Sequence, residues 1–119
     1  MDDNAAVRAL YQEVLESAGY EVVVAPNGLE GMALLERQPF DLVITDIFMP
    51  EMDGYEILRR MNEGDYGIPI IMMSSGGLMA HLLDGMLSAV KALGASEVLE
   101  KPMDAREILP VVAKHLPPR

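Results

Sequence analysis

Residues 42–54 read LVITDIFMPEMDG, an apolar run that ends at Asp46 and passes into a loop containing proline and glycine. A short, nearly unbroken apolar run is typical of a strand that is covered on both faces of a sheet. Runs of this kind predict strands over residues 20–25, 41–47 and 68–74, and a weaker one over 96–99.

Segments with helical spacing separate these strands. Apolar residues recur every three or four positions over 7–15, 29–35, 55–61, 79–93 and 108–116. Gly19 and Gly94 are expected to cap the first and fourth helices, and Asp104 to begin the last. Strands that alternate with helices predict an α/β fold, a parallel sheet with right-handed crossovers and helices on both faces. We expect one domain over residues 1–116, with 117–119 as a tail.

Composition narrows the class of protein. The chain has 119 residues, no cysteine and a formal net charge of −10. The absence of cysteine excludes disulfides, thiolate metal sites and thiol nucleophiles. The basic residues are scattered, which argues against direct nucleic-acid binding, and no apolar run reaches the ~20 residues of a membrane span. These features favour a cytoplasmic protein.

Chemically active residues follow the predicted strands. Asp46 ends one strand, Ser74 ends the next, and Lys101 follows the last, while Asp2 and Asp3 precede the first helix. The carboxyl ends of parallel strands share one edge, where ligands bind. Two carboxylates ~5 Å apart repel by roughly 3 kcal/mol at an effective dielectric of 20, and oxygen ligands favour Mg²⁺ as the neutralising cation. Acids, a hydroxyl and a lysine together predict a site for phosphoryl transfer.

Each of these residues also has a purely structural explanation. Asp2 and Asp3 could cap the first helix, Ser74 could belong to a loop, and Lys101 could be a surface lysine before a turn. Taken singly, the structural explanation is favoured. Their occurrence together and in this order favours a functional site.

The joint pattern resembles the receiver domain of bacterial two-component response regulators, of the chemotaxis-regulator type. The matching parts are Asp2-Asp3, residues 46–54, Ser74, Gly94-Ala95 and Lys101-Pro102. The resemblance implies a flavodoxin-like, doubly wound parallel sheet with strand order 2-1-3-4-5. It also implies that Asp46 is the phosphoacceptor and that Lys101 and Ser74 contact the phosphoryl group. The implied Mg²⁺ ligands are Asp2 (through water), Asp3, Asp46 and the backbone carbonyl of Phe48.

The sequence departs from this family at its beginning. Receivers open with an apolar central strand, whereas Met1 alone precedes Asp2 here. A mis-assigned start codon, a shortened chain or a genuine variant would each explain this. We expect a gap of two strand spacings, about 9–10 Å, filled by rearrangement or by another chain in a strand-swapped homodimer. Asp2 and Asp3 would then lose their anchor. Val98 also replaces the family's usual aromatic residue.

The resemblance implies a protein that takes a phosphoryl group from a phosphohistidine and switches partner binding. Its partner would be a sensor histidine kinase or a histidine phosphotransfer protein, and the chemistry would be limited to its own phosphorylation and dephosphorylation. The alternative is a receiver-like module that binds partners without phosphorylation. A metal-dependent phosphatase is a more distant third.

Overall fold

The computed structural model describes residues 1–2, 4–46, 52, 54–64, 66–75, 94–101 and 105–116. The helices are α1 (Ala5–Ser17), α2 (Gly28–Arg37), α3 (Gly54–Glu63) and α4 (Ile108–His115), the last preceded by a 3-10 turn over Ala105–Glu107. The strands are β1 (Val43–Asp46), β2 (Ile70–Ser75) and β3 (Glu97–Lys101). Within these residues, no helix has the length and apolarity required to cross a membrane.

The strands form a parallel sheet in the order β1-β2-β3. In its register, Asp46 lies opposite Met73, and Met73 lies opposite Leu99. The three strands therefore end within two residues of one another, at what we call the carboxyl edge of the sheet. The parallel α/β arrangement predicted from the sequence is confirmed.

The sheet is covered on both faces because alternate residues of a strand point to opposite sides. Ile70 and Met72 belong to a core formed with α2 and α3, whereas Ile71 and Met73 belong to one formed with α1 and α4. Met72 and Ile71 are both completely buried, which fits their position in the middle strand of three. The doubly wound architecture follows from these two cores.

Both ends of α1 are capped, and the glycine expected at its carboxyl end is found there. The side chain of Asn4 accepts hydrogen bonds from the amides of Ala6 and Val7, at 3.0 and 3.1 Å. At the other end, Gly19 has a φ of +94°, the left-handed conformation expected after a helix. Gly94 also has a positive φ, 111°. The helix predicted over residues 79–93 lies outside the described residues. The same holds for Asp104, which was expected to begin the last helix.

The strand predicted over residues 20–25 is not formed. Within the described part of the chain, one backbone hydrogen bond ties this segment to the sheet region, from the Asp2 amide to the Ala25 carbonyl at 3.2 Å. The Tyr20 amide instead bonds back to Leu15, at the end of α1. A strand needs a neighbour along its length, and among the described residues the backbone bond from Asp2 lies at the carboxyl end of the segment. The prediction of a strand was wrong because, in that part of the chain, no backbone hydrogen bond pairs residues 21–24 with a neighbour.

Candidate functional site

Asp46 is the last residue of β1 and is almost completely buried, with 7% of its surface exposed. Its backbone amide donates a hydrogen bond to the carbonyl of Met1 at 2.9 Å. The preceding residue, Thr45, is fully buried, and its hydroxyl donates to the carbonyl of Asp46 at 3.0 Å. The Asp46 backbone is therefore fixed from several sides at the carboxyl edge.

The register of the sheet brings the other two predicted residues to the same edge. Ser74 directly follows Met73, which lies opposite Asp46, and Lys101 lies opposite Ser75. With strands about 4.8 Å apart and a rise of about 3.3 Å per residue, the Cα atoms of Ser74 and Lys101 lie roughly 6 and 12 Å from that of Asp46. The backbone thus groups these three positions. Val98 lies within β3, opposite Met72.

Met1 pairs with β1 on the side opposite β2. Its nitrogen donates to the carbonyl of Ile44 at 2.6 Å, and its carbonyl accepts from Asp46 at 2.9 Å. These two bonds straddle Thr45 in the pattern of a parallel-strand pair. Since the next amide, of Asp2, bonds to Ala25, the chain from Met1 to Asp2 lies between β1 and the 20–25 segment.

Asp2 is therefore anchored, contrary to the expectation from the sequence. The residue is buried, with 5% of its surface exposed, and one carboxylate oxygen accepts a hydrogen bond from the Asn4 amide at 2.9 Å. The carbonyl of Asp2 accepts a second bond, at 2.7 Å, from the guanidinium of Arg8. The expectation was wrong because a single residue, Met1, makes the bonds that hold an acid next to β1.

The structural explanation of Asp2 as a helix cap is also wrong. Asn4 occupies the capping position of α1, two residues further along the chain. Arg8, which secures Asp2, was not identified from the sequence. A basic residue near the start of a helix normally faces solvent. Apart from the spacing of one helical turn between Asn4 and Arg8, the sequence therefore gives no indication that Arg8 contacts Asp2.

Two acids, Asp2 and Asp46, are buried beside β1. Removing carboxylates from water costs several kcal/mol each unless cations or hydrogen-bond donors compensate, and the Asn4 amide is one donor to the Asp2 carboxylate. Carboxylates are the hard oxygen ligands that Mg²⁺ prefers, so the residues fit such an ion. Among the residues with described positions, no three acids or histidines are grouped closely enough to hold a metal. Asp3 and Phe48, the other expected ligands, lie outside those residues.

Met52, which lies between β1 and α3 in the sequence, is packed tightly against the start of α2. A Cβ atom placed on Gly28 would lie 2.2 Å from the carbonyl oxygen of Met52, which is closer than any real contact. Met52 is itself buried in the core beneath α2 and α3. Glycine at position 28 therefore permits the close approach that places Met52 after the acid.

Comparison with known proteins identifies a family and individual proteins that this chain is similar to. The profile of the response regulator receiver domain matches residues 1–113. The chain is 38% identical over 117 residues to the sporulation initiation phosphotransferase F of Bacillus subtilis, covering 98% of this chain and 90% of that protein. The crystallised chemotaxis protein CheY4 of Vibrio cholerae is 30% identical and superposes with a TM-score of 0.82, over 97% of this chain and 93% of the other.

Other relatives are considerably longer. The chain covers 40% of the probable transcriptional regulator ycf27 of Guillardia theta, at 34% identity. It covers 23% of the response regulator protein FleR of Pseudomonas aeruginosa, at 30% identity. The similarity therefore concerns one module that occurs both in short proteins and within longer ones.

Proposed function

Because the chain belongs to the response regulator receiver domain family, we propose that Asp46 accepts a phosphoryl group from a partner's phosphohistidine. The observation that carries the proposal is the burial of Asp46 at the carboxyl edge, beside the backbone positions of Ser74 and Lys101. Receiver domains interact with histidine kinases or histidine phosphotransfer proteins, and either would supply the phosphoryl group here. The Bacillus subtilis relative is named for phosphotransfer, which supports this assignment.

The proposed reaction is an in-line displacement at phosphorus. A carboxylate oxygen of Asp46 forms the new P–O bond while the P–N bond to the donor imidazole breaks, and the imidazole takes up a proton. The ammonium of Lys101 offsets negative charge on the phosphoryl oxygens, and the hydroxyl of Ser74 donates a hydrogen bond to one of them. Water later attacks the phosphorus atom, the bond between the Asp46 oxygen and phosphorus breaks, and inorganic phosphate leaves the regenerated Asp46 carboxylate.

Mg²⁺ is the proposed cofactor. Asp3, Asp46 and the carbonyl of Phe48 would hold it, with Asp2 acting through water. When bound, the ion would supply positive charge that offsets the carboxylates and the incoming phosphoryl group. The contribution of the chain is to fix Asp2, whose backbone is bonded to Ala25 and Arg8, next to β1.

Phosphorylation would act as a switch through charge. It adds about −1.5 to −2 charges at the carboxyl edge of the sheet. A group of that size can bias the arrangement of adjacent loops and so change which partner binds. The domain is a signalling module in this view, and its chemistry is confined to its own phosphoaspartate.

Labelling with acetyl phosphate tests the proposal. In the presence of Mg²⁺, intact-mass spectrometry should show one added phosphoryl group on the wild type and none on Asp46→Asn. Asp41→Asn is the matched control, because Asp41 is an exposed acid at the beginning of the same apolar run. Equal labelling of Asp46→Asn and the wild type, or no labelling of any variant, would contradict the proposal.

A second candidate is a module that binds its partner without phosphorylation. Hydrogen bonds within the protein already hold Asp2 beside β1, so the edge has a defined shape through its own contacts. A Mg²⁺ titration followed by NMR separates the candidates. Millimolar Mg²⁺ should shift the amide signal of Asp46 in a phosphoacceptor, whereas the interaction module requires no response.

A further inference from the structure

Thr45 is a polar residue at a position of β1 where the neighbouring side chains are apolar. It lies opposite Met72, so both side chains point to the face of the sheet that α2 and α3 cover. Val43, two residues earlier on the same face, belongs to the same core. Thr45 and Met72 are both completely buried. Burying a hydroxyl group is unfavourable unless it is hydrogen-bonded, so the threonine requires an explanation.

The hydroxyl of Thr45 is directed at the backbone of the proposed phosphoacceptor. Its Oγ1 donates a hydrogen bond to the carbonyl oxygen of Asp46 at 3.0 Å. Valine has the same branching and nearly the same shape, and it would fill this position without a polar atom. Residues 42–44, which precede Thr45, are all apolar. The hydroxyl therefore distinguishes Thr45 from its neighbours in the strand, and it contacts the residue that carries the proposed chemistry.

Two hydrogen bonds restrict the Asp46 backbone, one on each side of its Cα atom. The amide donates to the Met1 carbonyl at 2.9 Å, which restricts rotation about the N–Cα bond. The carbonyl accepts from Thr45, which restricts rotation about the Cα–C bond. Because Cβ is attached to the same Cα atom, these bonds set the direction in which the carboxylate leaves the backbone. Asp46 is the residue at which β1 ends, so a side chain from within the strand holds its last residue.

We propose that Thr45 is a positioning residue for the phosphoacceptor. Its hydroxyl acts through the Asp46 carbonyl and holds the Asp46 carboxylate in the orientation required for in-line attack on phosphorus. This inference rests on the proposed function of Asp46. Thr45 itself is completely buried and does not touch the phosphoryl group. Correct orientation supplies a large part of the rate of such reactions, so a small rotation of the carboxylate slows the transfer without removing the nucleophile.

Rates of labelling by acetyl phosphate in saturating Mg²⁺ test the proposal. In this transfer an Asp46 oxygen bonds to phosphorus as the P–O bond to acetate breaks. Thr45→Val should lower the rate about three- to tenfold, and tenfold corresponds to about 1.4 kcal/mol, the order of one neutral hydrogen bond. Thr45→Ala also lacks the hydroxyl and should be slowed at least as much, so the result does not depend on how valine packs. Thr45→Ser keeps the hydroxyl and should restore most of the rate.

Ile44→Val is the matched control. Ile44 precedes Thr45 on β1 but packs against the core formed with α1 and α4. Both Ile44→Val and Thr45→Val should lose a modest amount of stability in urea unfolding, the first through packing and the second through the lost hydrogen bond. Only Thr45→Val should slow the labelling. The pair therefore separates the orientation of the carboxylate from general stability.

NMR reports on the hydrogen bond directly. Residues 46 and 47 form the only Asp-Ile pair in the sequence. Protein made with ¹³C-carbonyl aspartate and ¹⁵N isoleucine therefore gives one carbonyl–amide correlation, which contains the Asp46 carbonyl. In Thr45→Val and Thr45→Ala the carbonyl signal should move upfield, the direction expected when a carbonyl oxygen loses a hydrogen bond. In Thr45→Ser and Ile44→Val it should stay near its position in the wild type.

The possible results distinguish this inference from the proposed function. An unlabelled wild type would refute the proposed function and the inference with it. With a labelled wild type, an equal rate in Thr45→Val, equal slowing in Thr45→Ser, or equal slowing in Ile44→Val would each overturn the role of Thr45 and leave Asp46 as the phosphoacceptor. A carbonyl signal that does not move in Thr45→Val would show that the hydroxyl does not hold Asp46, and would also overturn it.

Discussion

Replacing Arg8 with methionine tests how the buried acid Asp2 is held. The Arg8 guanidinium donates to the Asp2 carbonyl at 2.7 Å in a partly buried position. Hydrogen bonds from charged groups contribute about 1.5–3 kcal/mol, and partial access of water reduces the loss. Methionine keeps an apolar stem of similar length. We therefore expect Arg8→Met to lower the free energy of unfolding by about 1–2 kcal/mol.

Urea unfolding followed by circular dichroism measures this loss. Arg37→Met is the control, because Arg37 is an exposed arginine in the last turn of α2. Its removal should cost about 0.5 kcal/mol or less, the value of a screened interaction with the helix dipole. The difference between the two variants isolates the contact with Asp2.

The same variant should weaken the response to Mg²⁺, on the proposed function. If 1.4 kcal/mol of the lost energy had held Asp2 in position, the Mg²⁺ concentration at half-saturation should rise about tenfold. Equal stability and equal Mg²⁺ midpoints for Arg8→Met and Arg37→Met would refute the reasoning. A loss of stability with an unchanged midpoint would show that Arg8 supports α1 and not the acid.

Three further substitutions test the framework of the site. Asn4→Ala removes the cap of α1 and should cost about 1 kcal/mol in urea unfolding. Gly28→Ala forces a Cβ atom against the Met52 carbonyl and should cost about 1–3 kcal/mol in the same measurement, and an unchanged stability would contradict the close approach of Met52. Lys114 lowers the pKa of Glu97, so this contact stabilises the fold above the ordinary carboxyl pKa of 4.5 and loses its effect as pH falls through the lower folded value. Thermal unfolding of Glu97→Gln should accordingly depend less on pH below about 4.5 than that of the wild type.

The strands illustrate which features of the fold the sequence can predict. The apolar runs around β1 and β2 predicted strands correctly, because both faces of these strands are covered by helices and the residues must be apolar on both sides. The run over residues 20–25 has the same composition but forms no strand. Whether these residues form a strand depends on which backbone lies beside them. A short window of sequence does not contain that information.

The site likewise has features that the sequence predicts and features that it does not. The positions of Asp46, Ser74 and Lys101 at one edge follow from parallel register, so strand ends suffice to predict their grouping. The roles expected of Asp3 and Phe48 remain predictions, as these residues lie outside the described part of the chain. The contact between Arg8 and Asp2 could not be predicted, because it depends on where the start of α1 is placed relative to Asp2 in the folded chain.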